Sequence, residues 1–151
     1  MDGQLKPIFS KLRETCDFTE ADGSDLNACC SHGDNALHFV VRGRDVSAAK
    51  ALIDAGVDLH KAGDLGYTPL HVACMQGDVQ MVKLLVDQGA DLFALSEGDA
   101  PFATARLAGH DHICDFLGPL MAQAQSLDPK TWVRARIARL RREIADLEKK
   151  I

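Results

Sequence analysis

Aromatic residues are nearly absent from this chain of 151 residues: one tryptophan, one tyrosine and six phenylalanines, 5% of the total. A core must therefore be built from aliphatic side chains and alanine, which favours helices. No apolar run approaches the ~20 residues that a membrane span requires. The opening stretch "MDGQLKPIFSKLRETCDF" lacks the apolar segment and small-residue cleavage site of a secretory signal. The five cysteines are an odd number, so the expectation is free thiols in a reducing cytoplasm. Cys29 and Cys30 are a poor disulfide pair, because adjacent Cα atoms lie about 3.8 Å apart, short of the roughly 4.4–6.8 Å that a disulfide prefers. There is also no glycine-rich phosphate loop and no nucleophile with a matching base. That argues against an enzyme, and no cofactor is expected.

What is present is unevenly distributed. Residues 1–125 carry 9 basic against 18 acidic side chains, a net −9, whereas residues 126–151 carry 8 against 4, a net +4. An acidic body disfavours nucleic acid and favours a protein partner with a basic or apolar surface. The stretch "NACCSHGDNALHF" (27–39) gathers Cys29, Cys30, His32 and His38. A closed zinc site needs four convergent ligands, and adjacent cysteines rarely converge, so no metal is expected.

The chain repeats itself. "GDNALHFVV" (33–41) matches "GYTPLHVAC" (66–74) with Gly33 and Gly66, Leu37 and Leu70, and His38 and His71 each 33 apart. "LIDAGVDL" (52–59) matches "LVDQGADL" (85–92), and Gly23, Gly56 and Gly89 continue the series. A weaker copy, "GDAPFATARLAGHDHICDFL" (98–117), begins 32 after Gly66, which implies one residue lost from the preceding loop. Within the middle copy, Thr68 is a natural N-cap with Pro69 at the first helical position. Gly77 breaks that helix. Val79, Val82, Leu84 and Leu85 return at helical spacing, and Gly89 ends the second helix. Each unit is a helix pair and a loop that cannot bury its apolar face alone, so the units must stack.

A 33-residue period carrying Thr68-Pro69-Leu70-His71-Val72-Ala73 resembles the ankyrin repeat. The likeness covers roughly residues 20–118 and is fullest in the middle copy. The first copy has Asn35-Ala36 in place of Thr-Pro and Arg44 in place of Gly77, which predicts a less regular helix–helix turn. The third has Ala103 in place of the histidine. The resemblance implies an all-α ankyrin-repeat solenoid with β-hairpin finger loops plus a C-terminal helix. Its domain would span 1–118, with a helical cap (1–22) and repeats at about 23–56, 57–89 and 90–118. It also implies that His38 and His71 are structural, and that Cys74 and Cys114 fill places in the core. Cys16, in the cap, has the same reading. His110 stands where the family often has Gly-His, and His112 is expected to be solvated.

Leu5, Ile8, Phe9, Leu12 and Cys16 mark an amphipathic helix at the start. Gly118-Pro119 closes the last repeat, with a short helix or linker at 119–127. Asp128-Pro129 then opens a helix over 128–151. Its seam, Val133, Ile137, Leu140, Ile144, Leu147 and Ile151, follows heptad spacing. A parallel homodimer would set Arg136 against Arg141 and Glu143 against Glu148, both repulsive. Three fates remain open: packing on the last repeat, pairing with another chain, or contact with nucleic acid or a membrane. Arg134, Arg136, Arg139, Arg141 and Arg142 share no single face, which disfavours the last.

Ankyrin-type proteins bind other proteins through fingers and inner helices. By position, the finger sites here are Cys29, Ser31, His32 and Asp34, then Ala62, Asp64, Leu65 and Tyr67, then Leu95, Glu97 and Asp99. The inner-helix sites are Arg42 and Gly43, Met75 and Gln76, and Leu107 and Ala108. An apolar centre at Leu65, Tyr67 and Met75, flanked by Leu95 and Leu107 and rimmed by acid, has the form of a protein-binding patch. Tyr67 is the expected hot spot. The resemblance thus implies a non-catalytic adaptor or stoichiometric inhibitor, monomeric or weakly oligomeric. The alternative is a structural protein assembled through its C-terminal helix.

Overall fold

The computed structural model describes residues 3–15, 25–126 and 129–150. Cys16, Gly23, Asp128, Ile151 and the side chain of Val133 lie outside the described residues. Eight α-helices follow one another among those described: α1 (Leu5–Thr15), α2 (Ala36–Arg42), α3 (Val46–Asp54), α4 (Pro69–Gln76), α5 (Val79–Asp87), α6 (Pro101–Leu107), α7 (Asp111–Ser126) and α8 (Pro129–Glu148). The chain forms two compact units, Met1–Asp115 and Phe116–Ile151, and α7 runs from the first into the second.

In the first unit the short helices stack in register with the sequence repeat. α2 packs on α4 and α4 on α6, while α3 packs on α5 in a second row; α1 lies against α2 and α3. Helices of seven to nine residues are too short to be stable alone. Burial between neighbours holds them: Leu37, Val41, Leu52, Leu70, Val72 and Leu85 are fully buried. α1 buries Leu5, Phe9 and Leu12, as its spacing predicts.

The helix–helix turn recurs three times with one geometry. Gly77, at φ +72°, follows α4, and Asp78 N–H donates to Ala73 O. Gly109, at φ +79°, does the same after α6, with His110 N–H donating to Ala105 O. In the first copy Arg44 takes the left-handed position at φ +57°, and Asp45 N–H donates to Val40 O. The turn is therefore as regular as the others, contrary to the expectation from Arg44; stacking imposes the conformation and an ordinary side chain bears it. Arg44→Gly relieves that backbone by about 1 kcal/mol but removes the Arg44 Nη2–Gln76 O bond, so the urea midpoint should rise only slightly.

The third repeat also differs from expectation. Helix α7 does not close at Gly118-Pro119 but continues through Pro119 to Ser126. Proline removes one intrahelical donor. Both Pro119 and Asp115, one turn earlier, are exposed, so water can satisfy the orphaned carbonyl.

Candidate partner-binding surface

The inner helices begin at three finger loops, and each finger is a tight turn rather than an extended hairpin. Among the described residues the β-pairing consists of two isolated antiparallel bridges, Cys29 with Asn35 and Ser96 with Asp99. In the first finger Cys30 N–H donates to Asp34 O, and Gly33 sits at φ +89°. In the second, Gly63 N–H donates to Tyr67 O; Leu65 and Gly66 sit at φ +53° and +79°. In the third, Ser96 N–H donates to Asp99 O; Glu97 and Gly98 sit at +51° and +95°. The last two have positive φ at both central turn residues, the type I′ arrangement. Gly63-to-Tyr67 spans one residue more than Ser96-to-Asp99, so the residue missing from the third copy was lost within the finger itself.

Side chains tie the fingers into a row. The Asp34 carboxylate, in a residue only 3% exposed, accepts from Asp64 N–H at 2.9 Å and from the Arg42 guanidinium. Burial pushes its pKa up, but those two donors outweigh it and hold the carboxyl below the usual range. Between the second and third fingers, the Ser96 hydroxyl donates to Leu65 O at 2.7 Å. The histidines do the same from below. Asn35 and Thr68 cap α2 and α4 in reciprocal boxes with His38 and His71. Each Nδ1 accepts the N–H of the capping residue at 3.2 Å, which leaves Nε2–H to donate into the next finger, to Tyr67 O at 2.9 Å and Asp99 O at 3.1 Å. Both rings are fully buried, and burial first of all holds both pKa values below the ordinary one, with the accepting carbonyls opposing.

The far ends of the inner helices are tied in the same way. Gln76 Nε2 donates to Arg42 O, and Arg44 Nη2 to Gln76 O, each at 2.9 Å. His110 Nε2 lies 3.0 Å from Met75 O. His112, expected to be solvated, is exposed but has Nε2 3.3 Å from Gly77 O.

These ties sort the expected surface residues. Asp34 is not available to a partner: it is buried because its carboxylate replaces water for a backbone N–H of the next finger. Gln76 is half-buried and also spans two repeats. Arg42 is exposed, bound to Asp34 and laid over the Phe39 ring at 5.8 Å. Tyr67 is half-buried, its ring edge-on to His71 at 5.7 Å. What remains outward is Ser31 and His32 at the first tip, Asp64 and Leu65 at the second, Leu95, Glu97 and Asp99 at the third, and Met75 and Leu107 on the inner helices. Leu65 is 60% exposed and Leu107 74%. Ser96 was not among the expected residues; only its place 33 after Gly63, where a side chain first becomes possible, could have signalled it.

Among the described residues the cysteines share no common site. Cys29 is exposed and Cys30 buried, with Cys29 Sγ donating to Asn27 O. Among the described residues no group of three or more His, Cys, Asp and Glu is placed to hold a metal ion. Cys74 is fully buried in α4, and burial pushes its thiol up to about 12, an unreactive core position. Cys114 is half-buried, with Sγ 3.8 Å from Phe102 O. Among the described residues no helix is long and apolar enough to cross a membrane.

A family model described as "Ankyrin repeats (3 copies)" matches residues 8–96 and, in a second alignment, residues 37–128. No curated protein matches the chain at a significant level.

Proposed function

Because the chain belongs to the ankyrin repeat family, whose repeats are generally protein–protein interaction modules, we propose that it captures one protein partner on the row of finger tips and inner-helix ends. It does so without catalysis, as an adaptor or a stoichiometric inhibitor. Leu65 carries this reading. An apolar side chain 60% exposed, on a backbone at φ +53°, is doubly unfavourable in the free protein: it shows apolar surface to water and sits in a region that costs an L-residue about 1–2 kcal/mol. The turn imposes that backbone, as it does at Glu97; the exposed apolar side chain is what a partner would cover. Leu95 on the next finger and Met75 and Leu107 on the inner helices extend the apolar surface, and Asp64, Glu97 and Asp99 lie beside it with negative charge. Such a face suits a partner presenting apolar residues among basic ones.

Leu65→Asn combined with Leu95→Asn tests this. Asparagine tolerates the left-handed region, so the fold is retained at Leu65 with less strain. From lysate of the native host, the unaltered chain should retain a partner that the double variant loses, with affinity falling about tenfold or more, as for a hot-spot residue. A partner retained equally by both would sink the finger reading.

A further inference from the structure

The seam of α8 is exposed throughout its described part, from 42% at Ile137 through Leu140 and Ile144 to 61% at Leu147. Arg134 and Arg141, which flank it, are exposed as well. A second α8 is a poor cover for this seam. Parallel pairing sets Arg136 against Arg141 and Glu143 against Glu148. Antiparallel pairing with full overlap sets Arg141 beside Arg141 of the other copy and Glu143 beside Glu143. What the seam requires is an apolar surface rimmed by acid, and the chain carries one. Leu65 and Leu95 stand on adjacent fingers beside exposed Asp64, Glu97 and Asp99. The spans agree. At a helical rise of 1.5 Å per residue, Ile137 and Ile144 lie about 10 Å apart, and inner helices packed about 8–10 Å apart set the adjacent fingers of Leu65 and Leu95 at a similar spacing.

We propose that α8 of one copy docks on the finger face of a second copy, the two chains exchanging their C-terminal helices reciprocally. Exchange about a two-fold axis closes at a dimer and buries both seams. The net −9 of residues 1–125 then faces the net +4 of residues 126–151. This rests on the finger face being a docking surface, and it adds a regulatory consequence: dimerisation and partner capture compete for one face, so the dimer is the self-inhibited form.

Sedimentation velocity of the full chain at rising micromolar concentration is the test, with circular dichroism to verify folding of each variant. The unaltered chain should pass from monomer to dimer, and added salt should weaken the dimer. Arg134→Glu/Arg141→Glu should weaken it about tenfold, as should Asp64→Lys/Glu97→Lys, because each pair of changes sets like charges against each other across the contact. All four changes together should restore it. A chain monomeric throughout would overturn the proposal, as would a combined variant that fails to recover. In either case, partner loss in Leu65→Asn/Leu95→Asn would leave the finger reading standing.

Discussion

Gly63→Ala should remove on the order of 2–4 kcal/mol of stability, the cost of stranding a buried, hydrogen-bonded charge. A Cβ at Gly63 would overlap Asp34 Oδ1 and lie 2.9 Å from His38 Nε2. The carboxylate has nowhere to withdraw, since it is buried and holds Asp64 N–H at 2.9 Å. The half-exposed Arg42 guanidinium contributes little by comparison, because water screens it. Displacement therefore breaks the bond that sets the second finger against the first. A double-mutant cycle in urea identifies the cause. Asp34→Ala removes the larger overlap and leaves the His38 contact, so Gly63→Ala/Asp34→Ala should cost clearly less than the sum of the two single changes. Losses that simply add would show that the overlap is not the reason.

His71→Ala should be comparably severe, about 3–4 kcal/mol from a buried cavity and an unsatisfied backbone N–H. The imidazole is fully buried; its loss leaves Thr68 N–H without an acceptor and cuts the 3.1 Å tie to Asp99 O, which keeps the Ser96 N–H of its own finger. Against a total of about 5–15 kcal/mol for a domain, the variant should show a much lower melting temperature and frayed third-finger amides in hydrogen exchange. The same rings give the fold a pH dependence. His38 and His71 titrate below their ordinary pKa in the folded chain. The unfolded chain thus takes up protons first as pH falls below about 6.5, and stability declines from there down to the folded-state values. Asp34, also held low, contributes fully above about 3.8 and is lost only as pH falls through its lower folded value. The urea midpoint should therefore drop between about pH 7 and pH 5, and His71→Ala should drop less over that interval. A midpoint flat across it would show that the rings are not buried as neutral acceptors.

Much of this was legible in the sequence because it is local. Thr68-Pro69 and His71 lie within four positions, so the capping box of α4 could be read directly. Gly89 ends α5 through bonds that reach back three and five residues, Gly89 N–H to Val86 O and Ala90 N–H to Leu85 O. Other features depended on partners far along the chain. Asp34 looked like a surface finger residue because its acceptor role is defined by Asp64, thirty positions later. Tyr67 looked like the hot spot, yet its ring leans on His71 and its carbonyl serves His38.

The sequence alone therefore determined the repeat, its register, the helix caps and the heptad spacing of the C-terminal helix. Each follows from residue preferences acting within a turn or two, or from a period that recurs. The tertiary structure decided which finger residues face water. It closed the first helix–helix turn through Arg44 at φ +57° and carried α7 through Pro119 to Ser126. Those outcomes are set by stacking: a neighbouring repeat supplies the donor or the buried wall that makes one side chain structural and leaves the next exposed. No residue carries that information in its own short window, because the neighbour lies about one repeat away.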